Sequence, residues 1–155
     1  SNLLRRGTMG RYATEHQTAA GTNLTVILLI GSASIRPKWY DFIVGSDATP
    51  ADVATEFSVA RTTASGSGGS ALTEAPLDPL TVAASATGIG GTFSGEPTYG
   101  NRLMNVALNQ RATFRWVAAP EGELITTAAA DAGLAMRSIA SGGTPNINMT
   151  VHWQE

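Results

Sequence analysis

The chain has no cysteine, which excludes a disulfide framework, a thiolate nucleophile and any thiol-based metal site. Histidine is scarce as well: His16 and His152 stand at opposite ends of the chain, with no third ligand at a metal-binding spacing. Charged residues are only 14% of the 155, so long, solvent-facing charged helices are not expected. A net charge of -2 supplies no overall field for a polyanion, and nucleic acid is not an expected partner. Long apolar runs are missing too. The most apolar stretch, Leu24 to Ile30, falls far below the roughly twenty residues that cross a bilayer. The opening SNLLRRGTMG lacks the apolar core of a signal peptide, so the chain reads as a soluble product made in a cytoplasm, with no membrane partner.

What is present is small polar residues and alternation. In Asn109 to Leu124, Ala112, Phe114, Trp116 and Ala118 fall on one side and Arg111, Thr113 and Arg115 on the other. That is the period of a half-buried strand, closed by Pro120 and Gly122. The last segment has the same form: Ile147, Met149, Val151 and Trp153 alternate with Asn148, Thr150, His152 and Gln154. Tyr12, Thr14 and His16 alternate with Arg11, Ala13, Glu15 and Gln17, an extended segment of mixed polarity in the manner of an edge strand. Leu24 to Ile30 is a nearly continuous apolar run, interrupted only by Thr25, as in a strand covered on both sides. Tyr40, Phe42 and Val44 share a face, as do Val53, Thr55, Phe57 and Val59, where a short helix competes. Met104, Val106 and Leu108 make another set, and the chain around Gln110 reads as one bent strand or two. Leu124 to Thr127 and Leu134 to Ile139 are shorter candidates, Thr92 to Tyr99 a weak one, and Thr62 to Leu80, with SGSGGS at its centre, a long flexible connection.

Eight or nine short strands punctuated every ten or so residues predict an all-β fold, an antiparallel β-sandwich of jelly-roll type. Residues 1–11 form an extended N-terminal arm and 12–155 a single domain. The arm belongs to a basic beginning, because Arg5, Arg6, Arg11, Arg36 and Lys38 precede Asp41 with Glu15 as the only acid among them. Leu3, Leu4, Arg5, Arg6 and Arg11 are the candidate partner-binding residues. Burial of the leucines and pairing of the guanidinium groups to acidic groups would offset the entropy of ordering an arm.

Reactive chemistry is not in view. No serine lies in a G-x-S-x-G elbow, and Gly88, Gly90 and Gly91 are followed by Phe93 where a dinucleotide fingerprint needs a third glycine, so they read as a turn. Glu121 and Glu123 share one short turn, which does not hold two carboxylates across a cleft. No catalytic residue, metal ligand or cofactor is assigned, and the chain is read as a non-enzyme. Trp39, Tyr40, Trp116 and Trp153 are core or interface aromatics, with sugar stacking as the competing use.

Three stretches, RPKWYDFIVGSDATPADVATEFSVARTTASGSG (Arg36 to Gly68), EAPLDPL (Glu74 to Leu80) and NQRATFRWVAAPEGEL (Asn109 to Leu124), carry a resemblance. With Tyr40, Asp41, Gly45, Ser46, Asp47, Pro50, Asp52 and Asn109 to Ala119 as the matching positions, the chain resembles small structural proteins of tailed bacteriophages. Within that group it is similar to head decoration, or cement, proteins. The resemblance covers about half the chain and is structural rather than catalytic. It implies a homotrimer on the outer surface of the virion that bridges subunits of the major capsid protein. Tail, neck or fibre component and carbohydrate-binding sandwich are the alternatives.

Overall fold

A computed structural model describes residues 10–155. Its twelve strands are β1 (Arg11–Ala19), β2 (Leu24–Ile30), β3 (Lys38–Asp47), β4 (Ala54–Ala64), β5 (Ser70–Ala71), β6 (Ala75–Pro76), β7 (Thr87–Gly90), β8 (Thr98–Asn109), β9 (Phe114–Val117), β10 (Leu124–Ile125), β11 (Gly133–Ser141) and β12 (Asn146–Gln154). They form two antiparallel sheets. In the first, β6, β1, β12 and β3 lie side by side, and β9 and β10 both pair with the far side of β3. In the second the order is β5, β7, β2, β11, β4, β8. The chain changes sheet between β1 and β2, β2 and β3, β3 and β4, β5 and β6, β6 and β7, β8 and β9, β10 and β11, and β11 and β12. The long alternating strands therefore come from every part of the chain, and the fold is a β-sandwich as the alternation predicts.

The core lies between the sheets. The first sheet contributes Tyr12, Trp39, Phe42, Val44, Ile147, Met149, Val151 and Trp153, the second Val26, Ile27, Leu29, Phe57, Val59, Leu134 and Met136, all at most 2% exposed. Tyr12 and Trp153, opposite each other on β1 and β12, stack at 4.8 Å. The Trp153 indole N–H donates to Thr14 Oγ1 at 3.0 Å inside the core, which satisfies the one polar atom that burying this ring would strand.

Two of the bulges change what their strands present to the core. Ile27 faces Met136 while Thr25 faces Arg137, so Val26 is an extra residue and joins Ile27 and Leu29 on the core side. The far side of β2 is covered as well: Leu28 packs with Phe93 and Ala135, flanked by Ile30, Ile89 and Tyr99. This double covering is why Val26 to Ile30 is apolar throughout. On β3, Trp39 faces Trp153 and Asp41 faces His152, leaving Tyr40 as the extra residue. Trp39 thereby turns into the core with no exposed surface.

Several local expectations are corrected. Gly88 and Gly90 do not form a turn; they lie in strand β7, paired with Leu29 and Ile27 of β2. A Cβ on Gly90 would come 2.8 Å from His16 Cδ2 and 2.9 Å from Leu72 Cδ1, so close packing by β1 and the Leu72 loop selects glycine. Thr62 to Leu80 is not an unstructured connection. It finishes β4, adds β5 to the second sheet and β6 to the first, and straps one side of the sandwich. Thr92 to Pro97 is loop rather than strand, with Phe93 folded onto the second sheet. Tyr12 and Ala13 are covered by β6, while β1 from Thr14 on has no strand pairing on that side and is an edge, as the alternation suggests. The helix that competes for Val53 to Ala60 is absent, because that segment is strand from Ala54. The chain at Gln110 makes two strands, and Ala112 lies exposed in the turn between them. Buried Gln110 holds that turn: its side chain accepts from Ala51 N–H at 2.9 Å and donates to the Gly142 carbonyl at 2.6 Å.

Candidate functional site

The outward face of the first sheet gathers charged, amide and hydroxyl groups around shallow depressions, and the bulge at Tyr40 sets it up. By sending Trp39 inward, the bulge brings Tyr40 and Asp41 together outside, next to His152 of β12. Strand β9 is anchored from within, where Phe114 and Trp116 pack on Phe42 with ring centroids at 6.1 and 5.5 Å. Arg115 lies between those two anchors and so points outward. Its Nε and Nη2 donate to the two carboxylate oxygens of Asp41 at 3.1 and 2.7 Å, a fork-on-carboxylate pair. His152 Nδ1 is 3.8 Å from the same carboxylate. The Arg115 hydrogen bonds hold Asp41 below its ordinary 3.8 against a smaller opposing effect of burial, with the charges of Arg115 and His152 adding to the lowering.

Arg11, the candidate residue that lies among those described, is the first residue of β1 and sits on this face, its guanidinium 5.9 Å from the Tyr40 ring centre. Burial pushes the Tyr40 hydroxyl above its ordinary 10.0; Arg11 opposes that shift and Asp41 adds to it. Leu3, Leu4, Arg5 and Arg6 lie outside the described residues.

Three shallow, open depressions follow one another over the face. One of about 170 Å³ is bordered by Asp41, Arg115, Thr150 and His152. A second, of about 260 Å³, shares Ile43 and Thr150 with it and continues to Gly45, Thr113 and Asn148. A third, of about 330 Å³, lies between Arg11, Tyr40, Val117, Pro120 and Glu123. Ile43 and Val117 are 41% and 58% exposed among these polar groups. Charges of both signs, amides, hydroxyls and isolated aliphatic side chains on a broad, shallow surface suit contact with another macromolecule rather than enclosure of a small substrate.

A second surface is the loop after β6. Leu77, Leu80 and Val82 are 47%, 92% and 79% exposed, yet their backbone is fastened at several points. The Tyr12 hydroxyl donates to the Val82 carbonyl at 2.8 Å, Leu77 N–H to the Arg11 carbonyl at 2.9 Å, and Leu80 N–H to Asp78 Oδ1 at 3.0 Å. The Glu155 carboxylate accepts from Ser85 and Ala86 N–H at 2.7 and 2.9 Å. A fastened loop displaying three apolar side chains presents contact surface with little conformational entropy left to lose.

No group of three or more histidine, aspartate or glutamate side chains placed to hold a metal occurs among the described residues. His16 is committed structurally: its Nε2 accepts from Gly91 N–H at 2.9 Å, and burial lowers its pKa from the ordinary 6.5. Trp39, the main aromatic behind sugar stacking, is in the core and has no face to offer. Alternation placed Arg115 and His152 on the polar side of their strands, but their meeting at Asp41 depends on strand pairing across the sheet and has no local signal. Comparison with family models, with curated proteins and with solved structures returns no match.

Proposed function

We propose that this chain is a virion structural protein that decorates the outside of a tailed-phage head and cements it by bridging major capsid subunits. The observation that carries the reading is the combination of a braced sandwich with two surfaces furnished for contact. These are the depressions around Asp41, Arg115 and His152, and the pinned apolar loop at Leu77, Leu80 and Val82. The jelly-roll reading is supported by the pairing order of the eight principal strands, β1-β12-β3-β9 in one sheet and β2-β11-β4-β8 in the other, an arrangement with close parallels in viral capsid domains. The resemblance at Arg36 to Gly68 and Asn109 to Ala119 supports the phage setting, and it covers both Asp41 and Arg115.

Cementing needs no reaction. A rigid body touching several shell subunits at once gains avidity from individually modest contacts, and binding the assembled shell but not its separated subunits stabilises the shell by mass action. The test is to add the purified chain to heads assembled without it and follow their rupture on heating. The reading requires binding and a higher rupture temperature. Heads that neither bind the chain nor gain resistance would refute it. A tail, neck or fibre position uses the same surfaces in another symmetry, and electron microscopy of labelled chain on whole particles separates the two.

A further inference from the structure

We infer that the free edge of β8 is a self-association site, at which two copies of this chain pair antiparallel about a twofold axis to make one continuous sheet. This inference does not rest on the decoration reading.

The edge strands β5, β6, β9 and β10 are two to four residues long, and β1 is open on one side only beyond Ala13, where β6 ends. β8 is twelve residues long, and no strand pairs with its far side among the described residues. A long open edge presents a row of backbone donors and acceptors, and proteins that remain monomeric blunt such edges with lysine, proline or inward charges. β8 has none of these; Arg102 is its single charged residue. The register against β4 is irregular between Val59 and Ala64, but from Met104 to Asn109 it runs without a shift against Val59 to Ala54. The bulges twist the first half of the strand and leave the second half as a regular template.

A second copy is the occupant that fits this edge. An antiparallel pair centred on Val106 sets Met104 against Leu108 of the other copy and Val106 against its equivalent. These three side chains are half-buried at the margin of the core, so pairing would continue the core across the axis. On the outward side Asn105 would meet Ala107 of the other copy, with no like charges opposed. Arg102, which has no ion-pair partner among the described residues, would approach the Asn109 end of the other strand. There Asn109 Nδ2 donates to Asp52 Oδ1 at 2.6 Å. The contact is self-complementary, as an isologous interface requires.

The experiment uses the full chain. Sedimentation over a concentration series should show a monomer–dimer equilibrium. Asn105→Lys together with Ala107→Lys, at two exposed positions, opposes like charges twice across the axis and should weaken dimerisation by at least about tenfold, with the circular dichroism spectrum unchanged. Because the chain has no cysteine, Val106→Cys gives a clean second measurement. Cross-strand neighbours stand at disulfide distance, so mild oxidation should link this variant into dimers much faster than Leu80→Cys, whose position is 92% exposed and off the edge. A monomer at the highest attainable concentration, a trimer, a dimer indifferent to both lysines, or equal cross-linking of the two cysteine variants would each overturn the inference.

Discussion

Replacing Thr14 by Val should cost far more than its change in shape suggests. The two side chains are nearly isosteric, but Thr14 Oγ1 accepts the Trp153 indole N–H at 3.0 Å, and neither residue has exposed surface. Val leaves that donor in the core with no acceptor, a loss of about 1–3 kcal/mol. For a chain of this size each kcal/mol moves the melting temperature by about 2–4 °C, so the expected fall is roughly 2–12 °C. Urea unfolding followed by circular dichroism gives the free energy directly. The cause is isolated by repeating the substitution in a Trp153→Phe background, where no indole donor remains to be stranded. There Thr14→Val should cost less by about 1 kcal/mol or more. Equal costs in the two backgrounds, or no change in the wild-type background, would refute the reasoning.

Acid should weaken the fold through His16. Its pKa is lowered in the folded state, so the stabilisation is complete above the ordinary 6.5 and declines as pH falls through that value toward the lower folded pKa; unfolding free energy measured against pH should show this slope, and His16→Gln should flatten it. Asp41 should titrate below 3.8 by NMR, and Arg115→Gln should move it up toward that value, because the guanidinium hydrogen bonds are the main cause of the lowering. Gly133→Ala should destabilise by about 1–3 kcal/mol in urea, since a Cβ there would collide with the Leu29 carbonyl oxygen in the middle of the second sheet, where the backbone has little room to give.

The strands that could be read from the chain are those with one face in the core and one in solvent. β12 alternates buried and half-buried residues without a break, and β1 and β4 keep enough of that rhythm to be found. β2 was legible for the opposite reason, because both of its faces are covered. β7 was hidden: its Thr-Gly-Ile-Gly sequence has almost no side-chain pattern, and its glycines answer to His16, Leu72 and Thr14 from distant parts of the chain. The bulges at Val26 and Tyr40 were equally invisible, since an extra residue is defined only against the partner strand. The candidate face suffered most from this. Arg115 could be placed outside by alternation, but its partner Asp41 lies 74 residues away, and the bulge that turns Tyr40 and Asp41 outward reverses the expected placing of Tyr40 with Phe42 and Val44. The exposure of Leu77 and Leu80 follows from the strap between β5 and β7, where the composition of Thr62 to Leu80 suggested only a flexible connection.

The most direct measurement is a pair of image reconstructions of phage heads, one set carrying this chain and one assembled without it. The cementing account predicts density on the outer surface in the first map alone, fitted by the sandwich and touching more than one major capsid subunit through the Asp41–Arg115 face or the Leu77–Val82 loop. Identical maps, or extra density confined to the tail, would contradict it.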